Sequence, residues 1–204
     1  MGKSQISKSI LFLAVFFLAA TIVRADSLFT FESDPVGTAT GFSNTSNGVT
    51  ATFRSSADPD GFEVFPPLGF VTLTGNFLAQ GPNSPAFLPL SIAFGNNLNF
   101  ISMNFGLDGP GAFTLMAYEG STLVGTVSAI GVIPDGSFEP EGLISFDGAT
   151  FDSVVLTSST DFFGVDNIDV KSTGVPEPGT LAMLGMGVLA LVLCRPRIAN
   201  SLKS

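Results

Sequence analysis

Apolar and polar residues alternate over short stretches in the central part of the chain, which is the pattern of half-buried β-strands. Ile101, Met103 and Phe105 alternate with polar or small residues, and Phe113 and Leu115 begin a second stretch of the same kind. The pattern predicts further strands at 28–31, 49–54, 62–65, 70–74, 90–94, 123–129, 143–146, 154–157 and 164–170. No amphipathic helical pattern of comparable strength runs between them.

Turn-forming sequences separate these predicted strands, at 108–111, 119–121, 134–136 and 147–148. About ten or eleven short strands in about 150 residues are typical of a β-sandwich. Of the 21 phenylalanines, 18 follow residue 25, and they supply its inner faces. The sequence therefore predicts an all-β chain with one β-sandwich domain at 26–171.

The first 25 residues have the pattern of a cleaved secretory signal peptide. Lys3 and Lys8 precede an apolar run from Ile10 to Val23, and small or permissive residues stand before the predicted cleavage point between Ala25 and Asp26. Such a segment needs the Sec translocon and a signal peptidase. A retained N-terminal anchor is the alternative interpretation.

The C-terminal end has three parts in a fixed order. A linker at 172–180 contains Val175-Pro176-Glu177-Pro178, an apolar segment follows at 181–194, and a basic tail ends the chain at 195–204. Counted from Gly179, the apolar run has 16 residues, about 24 Å as a helix against a hydrocarbon core of about 30 Å. The pattern predicts a single, marginal transmembrane helix with a cytoplasmic tail. A permanent anchor and a processed signal both fit these residues.

The order of Val175, Pro176, Glu177 and Pro178, the apolar segment and the basic end resembles the PEP-CTERM protein-sorting signal of bacteria. Both prolines keep this strip extended and non-helical, which makes it accessible to an enzyme. The resemblance implies that an exosortase, a membrane processing enzyme, recognises the motif. One departure is the tail after Arg195, which is longer and less basic than the usual arginine cluster.

Charge and composition exclude several classes of function. Residues 26–175 contain 16 acidic and two basic side chains, a net charge of −14, which disfavours nucleic acid and anionic lipid. The chain has no histidine, so it lacks a Ser-His-Asp or Cys-His site and histidine-based zinc binding. Its one cysteine, Cys194, lies in the apolar tail. Carboxylate chemistry and hard-cation binding remain open.

Phe31-Glu32 and the closing segment Asp166-Asn167-Ile168-Asp169-Val170 resemble the first and last strands of jelly-roll sandwiches related to carbohydrate-binding modules. That resemblance implies a jelly-roll-like fold and a structural calcium ion at Glu32 with Asp166 or Asp169. Otherwise we expect no cofactor. Sugar-binding sandwiches of this kind often stack sugars on Trp or Tyr, but this chain has no tryptophan and only Tyr118.

Two other acidic stretches invite a chemical interpretation. The Asp58–Glu63 stretch resembles part of a calcium loop but lacks later ligands, so we predict a plain turn. Glu139 and Glu141 form the nearest approach to a carboxylate pair, and we predict that they lie in a solvated loop.

The resemblance to the sorting signal implies an exported protein of the bacterial cell surface or extracellular matrix, structural or adhesive in biofilm or exopolysaccharide. We predict that this protein is non-enzymatic. A carbohydrate-binding module or a carboxylate-based carbohydrate-active enzyme is the alternative. A permanently anchored membrane protein is a third hypothesis.

Overall fold

A computed structural model describes residues 26–55 and 57–173, together with the isolated positions Gly185 and Gly187. The predicted signal peptide and most of the predicted transmembrane segment and tail lie outside these residues. No helix in the described part of the chain is long and apolar enough to cross a membrane. The described residues from Asp26 to Thr173 belong to one compact unit with its own core, so this segment is expected to fold by itself.

The described unit is built from ten strands. Their bounds are β1 (Asp26–Phe29), β2 (Ser43–Ser46), β3 (Val49–Ser55), β4 (Phe62–Phe65), β5 (Phe77–Gln80), β6 (Leu90–Leu107), β7 (Ala112–Glu119), β8 (Thr122–Ile130), β9 (Glu141–Ser158) and β10 (Phe163–Ser172). The all-β prediction is confirmed for these residues.

The predicted strands agree with the observed ones where one face of the strand is buried. β4 has the predicted bounds, and β3, β7, β8 and β10 match within a few residues. The predicted pairs 90–94 with 101–105 and 143–146 with 154–157 each merge into one strand of 18 residues, β6 and β9. The predicted turn at Asp147-Gly148 is wrong, because Gly148 lies inside β9 with a φ of 115°.

Two strands were missed and one was wrongly predicted. β2 consists of four polar residues, and β5 is buried at all four positions, so neither shows apolar alternation. The predicted strand at 70–74 belongs instead to an irregular connection between β4 and β5. We call this connection, residues 66–76, the strap.

β6 and β9 bend and contribute to two layers. Leu90–Phe94 pairs with β3, and 90–93 also pairs with 153–156 of β9, which in turn pairs with β7. Beyond an irregularity between Ala93 and Leu98, the second half of β6 pairs with β10 and with the first half of β9. β8 extends the first layer, whereas β1, β5 and β4 extend the second. The arrangement fits a β-sandwich.

Phenylalanines fill the space between the layers. Phe105 of the second layer stacks on Phe113 of the first, with ring centroids 4.7 Å apart, and Phe113 also meets Phe163 at 5.2 Å. Phe31, just after β1, meets Phe53 of β3 at 5.4 Å. All five of these side chains are buried. With no cysteine in this unit, the aromatic core is its main source of stability.

The strap lies against the outer face of the second layer and forms a small apolar cluster there. Leu73 of the strap packs with Phe77 and Ala79 of β5, and Phe65, Phe70 and Phe162 border the cluster. The strap approaches β6 closely at Gly106, where an added Cβ would lie 2.5 Å from the Phe70 ring. Glycine at 106 is therefore what allows the strap to lie flat on this sheet.

Candidate functional site

The sandwich closes immediately before the predicted sorting motif. Asp26 pairs with Lys171 in the β1–β10 ladder, and the Lys171 ammonium lies 3.9 Å from the Asp26 carboxylate and 5.1 Å from the Phe100 ring centre. The Thr173 amide donates a hydrogen bond of 3.0 Å to the Asn97 carbonyl. Val175, Pro176, Glu177 and Pro178 lie outside the described residues. The domain boundary predicted at residue 171 lies one residue before the end of β10 at Ser172.

The predicted cleavage point also borders the first strand. Asp26 is the first residue of β1 and is exposed. Cleavage between Ala25 and Asp26 would leave every residue of β1 in place. The cleavage itself stays a prediction.

Asp166 is the most unusual acidic residue of the unit. Its side chain is fully buried on β10, where one carboxylate oxygen accepts hydrogen bonds from the Thr74 amide at 3.1 Å and the Asn167 side chain at 3.0 Å. The other oxygen, Oδ1, has no hydrogen-bond partner. The register of β10 shifts between Asp166 and Asp169, and Asn167 there has a φ of 51°. Burying a polar oxygen without a hydrogen-bond partner costs free energy, so the folded unit disfavours the ionised form of this carboxylate.

Glu32 lies close enough to Asp166 to affect the pKa of the Asp166 carboxyl group. Burial, despite hydrogen bonds from Asn167 and Thr74, raises the pKa of Asp166 to about 6, and the negative charge of Glu32 adds to the rise. The Glu32 carboxylate itself packs against Gly75 of the strap, in space that a Cβ at 75 would occupy. The two acidic groups therefore meet at one corner of the second layer, beside the strap.

The third residue of the predicted calcium site, Asp169, lies further along β10, opposite Leu28 of β1 and Ser102 of β6. Among the described residues, no group of three or more acidic, cysteine or histidine side chains is arranged to hold a metal ion. Calcium binding at Glu32, Asp166 and Asp169 stays a prediction, and Asp166 with its free oxygen is the residue that favours it.

Glu141 corrects the prediction of a solvated carboxylate pair. Its side chain is only 1% exposed at the start of β9. The carboxylate accepts hydrogen bonds from the Val71 amide at 2.8 Å and from the amide and hydroxyl of Thr72, each at 2.5 Å. Burial alone would raise the pKa of Glu141, but these bonds and the Ser137 hydroxyl outweigh it and lower the pKa. A carboxylate held ionised in this way does not suit a general acid.

Three neighbouring strands of the second layer hold the backbone of the strap through polar side chains. Glu141 of β9 binds two strap amides, Asn104 of β6 donates 3.0 Å to the Thr72 carbonyl, and Asp166 of β10 accepts from Thr74. The strand pairing places Asn104 directly beside Asp166. Sequence analysis missed this set, because its members lie far apart in the chain and share no motif. The one available signal in the sequence is that residues 66–76 are apolar at several positions without a regular alternation over their whole length.

Residues 58–61 form a turn, as predicted, and the end of the 58–63 stretch begins β4. The Gly61 amide donates a hydrogen bond of 3.0 Å to the Asp58 carbonyl, and the Asp60 amide donates one of 3.2 Å to the Asp58 side chain. The Asp58 side chain is thus part of ordinary turn geometry.

A shallow polar cleft lies between β1 and β2. It has a volume of about 230 Å³ and is lined by Leu28, Phe29, Thr30, Ser33, Asn44, Thr45 and Ser46. Asn44 is fixed by a hydrogen bond of 2.8 Å from its amide to the Asp34 carboxylate. Hydroxyl and amide groups of this kind suit a neutral, hydrogen-bonding ligand better than a charged one.

The profile of the PEP-CTERM protein-sorting motif matches residues 174–197. This stretch begins directly after the last residue of the sandwich and includes the four motif residues from Val175 to Pro178. The chain therefore carries a PEP-CTERM sorting motif, which indicates an exported, envelope-associated protein. Among curated proteins, none matches the chain in sequence.

Solved structures to which this chain is similar include two adhesin domains of Lys-gingipain and a carbohydrate-binding module. The K2 adhesin domain is 15% identical with a TM-score of 0.48, covering 72% of this chain and 97% of its own. The K1 adhesin domain from Porphyromonas gingivalis W83 is 8% identical with a TM-score of 0.47, covering 74% and 99%. A family 32 carbohydrate-binding module from C. perfringens NanJ, solved with galactose, is 12% identical with a TM-score of 0.38, covering 72% and 100%.

Proposed function

We propose that this chain is an exported β-sandwich protein that an exosortase-type enzyme processes at its C-terminal motif. After sorting, the acidic sandwich is a non-enzymatic structural or adhesive component of the cell surface or of a biofilm or exopolysaccharide matrix. Export requires the Sec translocon and a signal peptidase acting between Ala25 and Asp26.

One observation carries this proposal: the sorting motif at 174–197 begins directly after a sandwich that is already complete at Thr173. The processing enzyme would therefore act on a segment that no strand of the unit requires. Removal of the tail would leave the ladder between β1 and β10 intact.

The charge of the unit supports a place among neutral or cationic matrix components. Of its two cations, Lys171 is paired with Asp26, and Arg54 lies on β3. A surface of this sign repels nucleic acid and other acidic polymers, but it does not hinder contact with uncharged polysaccharide.

The test is the intact mass of the protein recovered from the cell envelope and from the medium of its host. A mass that begins at Asp26 and ends between Pro176 and Gly179 is expected. A mass that extends through Ser204 would contradict processing and indicate a permanent membrane anchor. A Pro176→Ala, Pro178→Ala double variant is the matched comparison, because it leaves the apolar and basic parts of the tail unchanged.

Carbohydrate binding is the second candidate, and the polar cleft between β1 and β2 favours it. If the cleft binds sugars, a neutral oligosaccharide should show saturable binding to residues 26–173 that Asn44→Ala weakens. Thr114→Ala is the control, because Thr114 is a similar polar residue on β7, away from the cleft. Equal binding by both variants would exclude the cleft as the site. A carboxylate-based enzyme would instead show turnover that is lost on changing one acidic residue.

We also propose that Glu32 and Asp166 hold the calcium ion, with Asp169 as the third expected ligand. The buried Oδ1 of Asp166 supports this, since Ca²⁺ prefers oxygen ligands and would compensate two neighbouring negative charges. Ca²⁺ should then raise the melting temperature of residues 26–173 near pH 8, and Asp166→Asn should abolish that rise. An unchanged melting temperature in Ca²⁺ and in chelator would exclude the site.

A further inference from the structure

β8 is an edge strand of unusual length for this unit. In the described residues it forms a ladder with β7 alone, at the end of the strand order. The other strands with a single ladder partner, β1, β2 and β4, have four residues each, whereas β8 has nine. β4, at the opposite end of the order, is covered by backbone hydrogen bonds from Gly37 and Thr40. β8 therefore presents the longest uncovered row of backbone donors and acceptors in this part of the chain.

β8 also lacks the features that normally prevent edge strands from pairing. Its sequence, Thr122–Ile130, contains no charged residue and no proline. One irregularity in its pairing with β7 lies near its start, between Ala117 and Tyr118, and the stretch from Gly125 to Ile130 is regular. Natural edges are usually protected by lysine, proline, short length or a bulge along the strand. Here a bulge protects only the first residues.

Apolar side chains are exposed along β8 and just beyond it. Ile130 is 68% exposed, and Val132 and Ile133 follow at 66% and 60%. Leu123, at the other end of the strand, is also exposed. Exposed apolar residues that adjoin an unpaired strand edge favour burial against another strand.

The charge distribution permits two copies of this unit to meet along β8. Two copies of a unit with a net charge of −14 repel each other over most of their surfaces, whereas a contact along β8 brings no charged side chain of the strand into the interface. The strand is also compatible with itself. In an antiparallel pairing centred on Val127, Thr126 of one copy faces Ser128 of the other, and both are exposed polar residues.

We propose that β8 is a self-association edge, at which a second copy of this chain adds its own β8 in antiparallel orientation. The pairing joins the first layers of two sandwiches into one continuous sheet across a two-fold axis. The segments that lead to both ends of the unit, Asp26–Phe29 and Phe163–Ser172, lie in the second layer. Dimerisation through β8 therefore leaves the route to the sorting motif free.

Sedimentation equilibrium of residues 26–173 over increasing concentration tests this proposal. The average mass should rise from that of a monomer to that of a dimer. The dimer fraction should increase with salt, because salt screens the repulsion between acidic units. Hydrogen exchange of the β8 amides should slow as the dimer forms. A unit that stays monomeric at every concentration and salt would overturn the proposal.

Thr126→Glu places a negative charge on the edge of an acidic unit and, because it occurs twice in the symmetric dimer, should weaken association by about tenfold or more. Thr157→Glu is the matched control. It adds the same charge to the same layer, but on β9, which pairs on both sides. If both variants weaken association equally, the contact lies elsewhere and the proposal is wrong. Ser128→Glu, with its melting curve measured alongside, replaces Thr126→Glu if that variant fails to fold.

Discussion

Because the Asp166 carboxyl group is buried, we predict that its contribution to the stability of the calcium-free protein falls as the pH rises. The folded unit raises the pKa of Asp166 from 3.8 to about 6, so folding favours the protonated form. This group therefore contributes its full stability below pH 3.8 and loses it as the pH rises through about 6. Each pKa unit corresponds to about 1.4 kcal/mol, so ionisation of Asp166 above that pH costs at most about 3 kcal/mol.

Asp166→Asn tests this cost directly, because asparagine stays neutral and keeps a carbonyl oxygen for the Thr74 amide and the Asn167 side chain. In chelator near pH 8 the variant should be more stable than the wild type by about 1–3 kcal/mol. The advantage should disappear toward pH 4. The free energy of unfolding in urea, followed by circular dichroism at both pH values, measures the difference.

The control is Asp135→Asn, which removes the same formal charge from an exposed position in the turn after β8. It should change stability little at either pH. A wild type that is more stable than Asp166→Asn near pH 8 in chelator would refute the electrostatic argument. It would mean that the ionised carboxylate has a partner besides the two hydrogen-bond donors.

Two further predictions concern the strap. Gly106→Ala should lower the free energy of unfolding by about 1–3 kcal/mol, because its Cβ would lie 2.5 Å from the Phe70 ring. Gly109→Ala is the control and should change this free energy little, because no atom lies within 4 Å of the added Cβ. Equal effects of the two variants in urea unfolding would contradict the close packing. Glu141→Gln should lower the free energy of unfolding by about 1–3 kcal/mol and speed hydrogen exchange of the strap amides, because an NH₂ group replaces one acceptor oxygen. Glu139→Gln, in the preceding loop, is the control, and slow strap exchange in Glu141→Gln would refute this role.

The sequence predicted strands well where one face of a strand meets the core and the other meets solvent. β3, β4 and β7 show this alternation in their burial, so their periodicity was readable. β5 is buried on both faces, and its Phe77-Leu78-Ala79 run carries no alternation. The continuity of β6 and β9 was also hidden, because strands that bend between layers change which face is buried and break the pattern midway.

The strap shows why the candidate site was harder to predict than the fold. Its apolar residues resemble a strand because Phe70 and Leu73 pack on the outer face of the sheet. However, its backbone groups bond to side chains of Glu141, Asn104 and Asp166 rather than to a neighbouring strand. Which carboxylate satisfies which amide depends on contacts between residues about 30 to 90 positions apart. No local pattern reports such contacts, so Glu141 looked like a solvated loop residue.

The positions of the strap and of the chain ends imply that stability and sorting are separable in this protein. β10 pairs with β6 from Phe163 opposite Leu107 to Ser172 opposite Leu98. At about 3.3 Å per residue, Asp166, where the strap bonds to β10, lies about 20 Å from Ser172, the end of the strand that leads to the motif. Changes at Gly106 or Glu141 therefore lower the stability of the unit without contacting the residues just before the motif. Such variants should still be processed as long as they fold, whereas changes at Pro176 or Pro178 should block processing without altering stability.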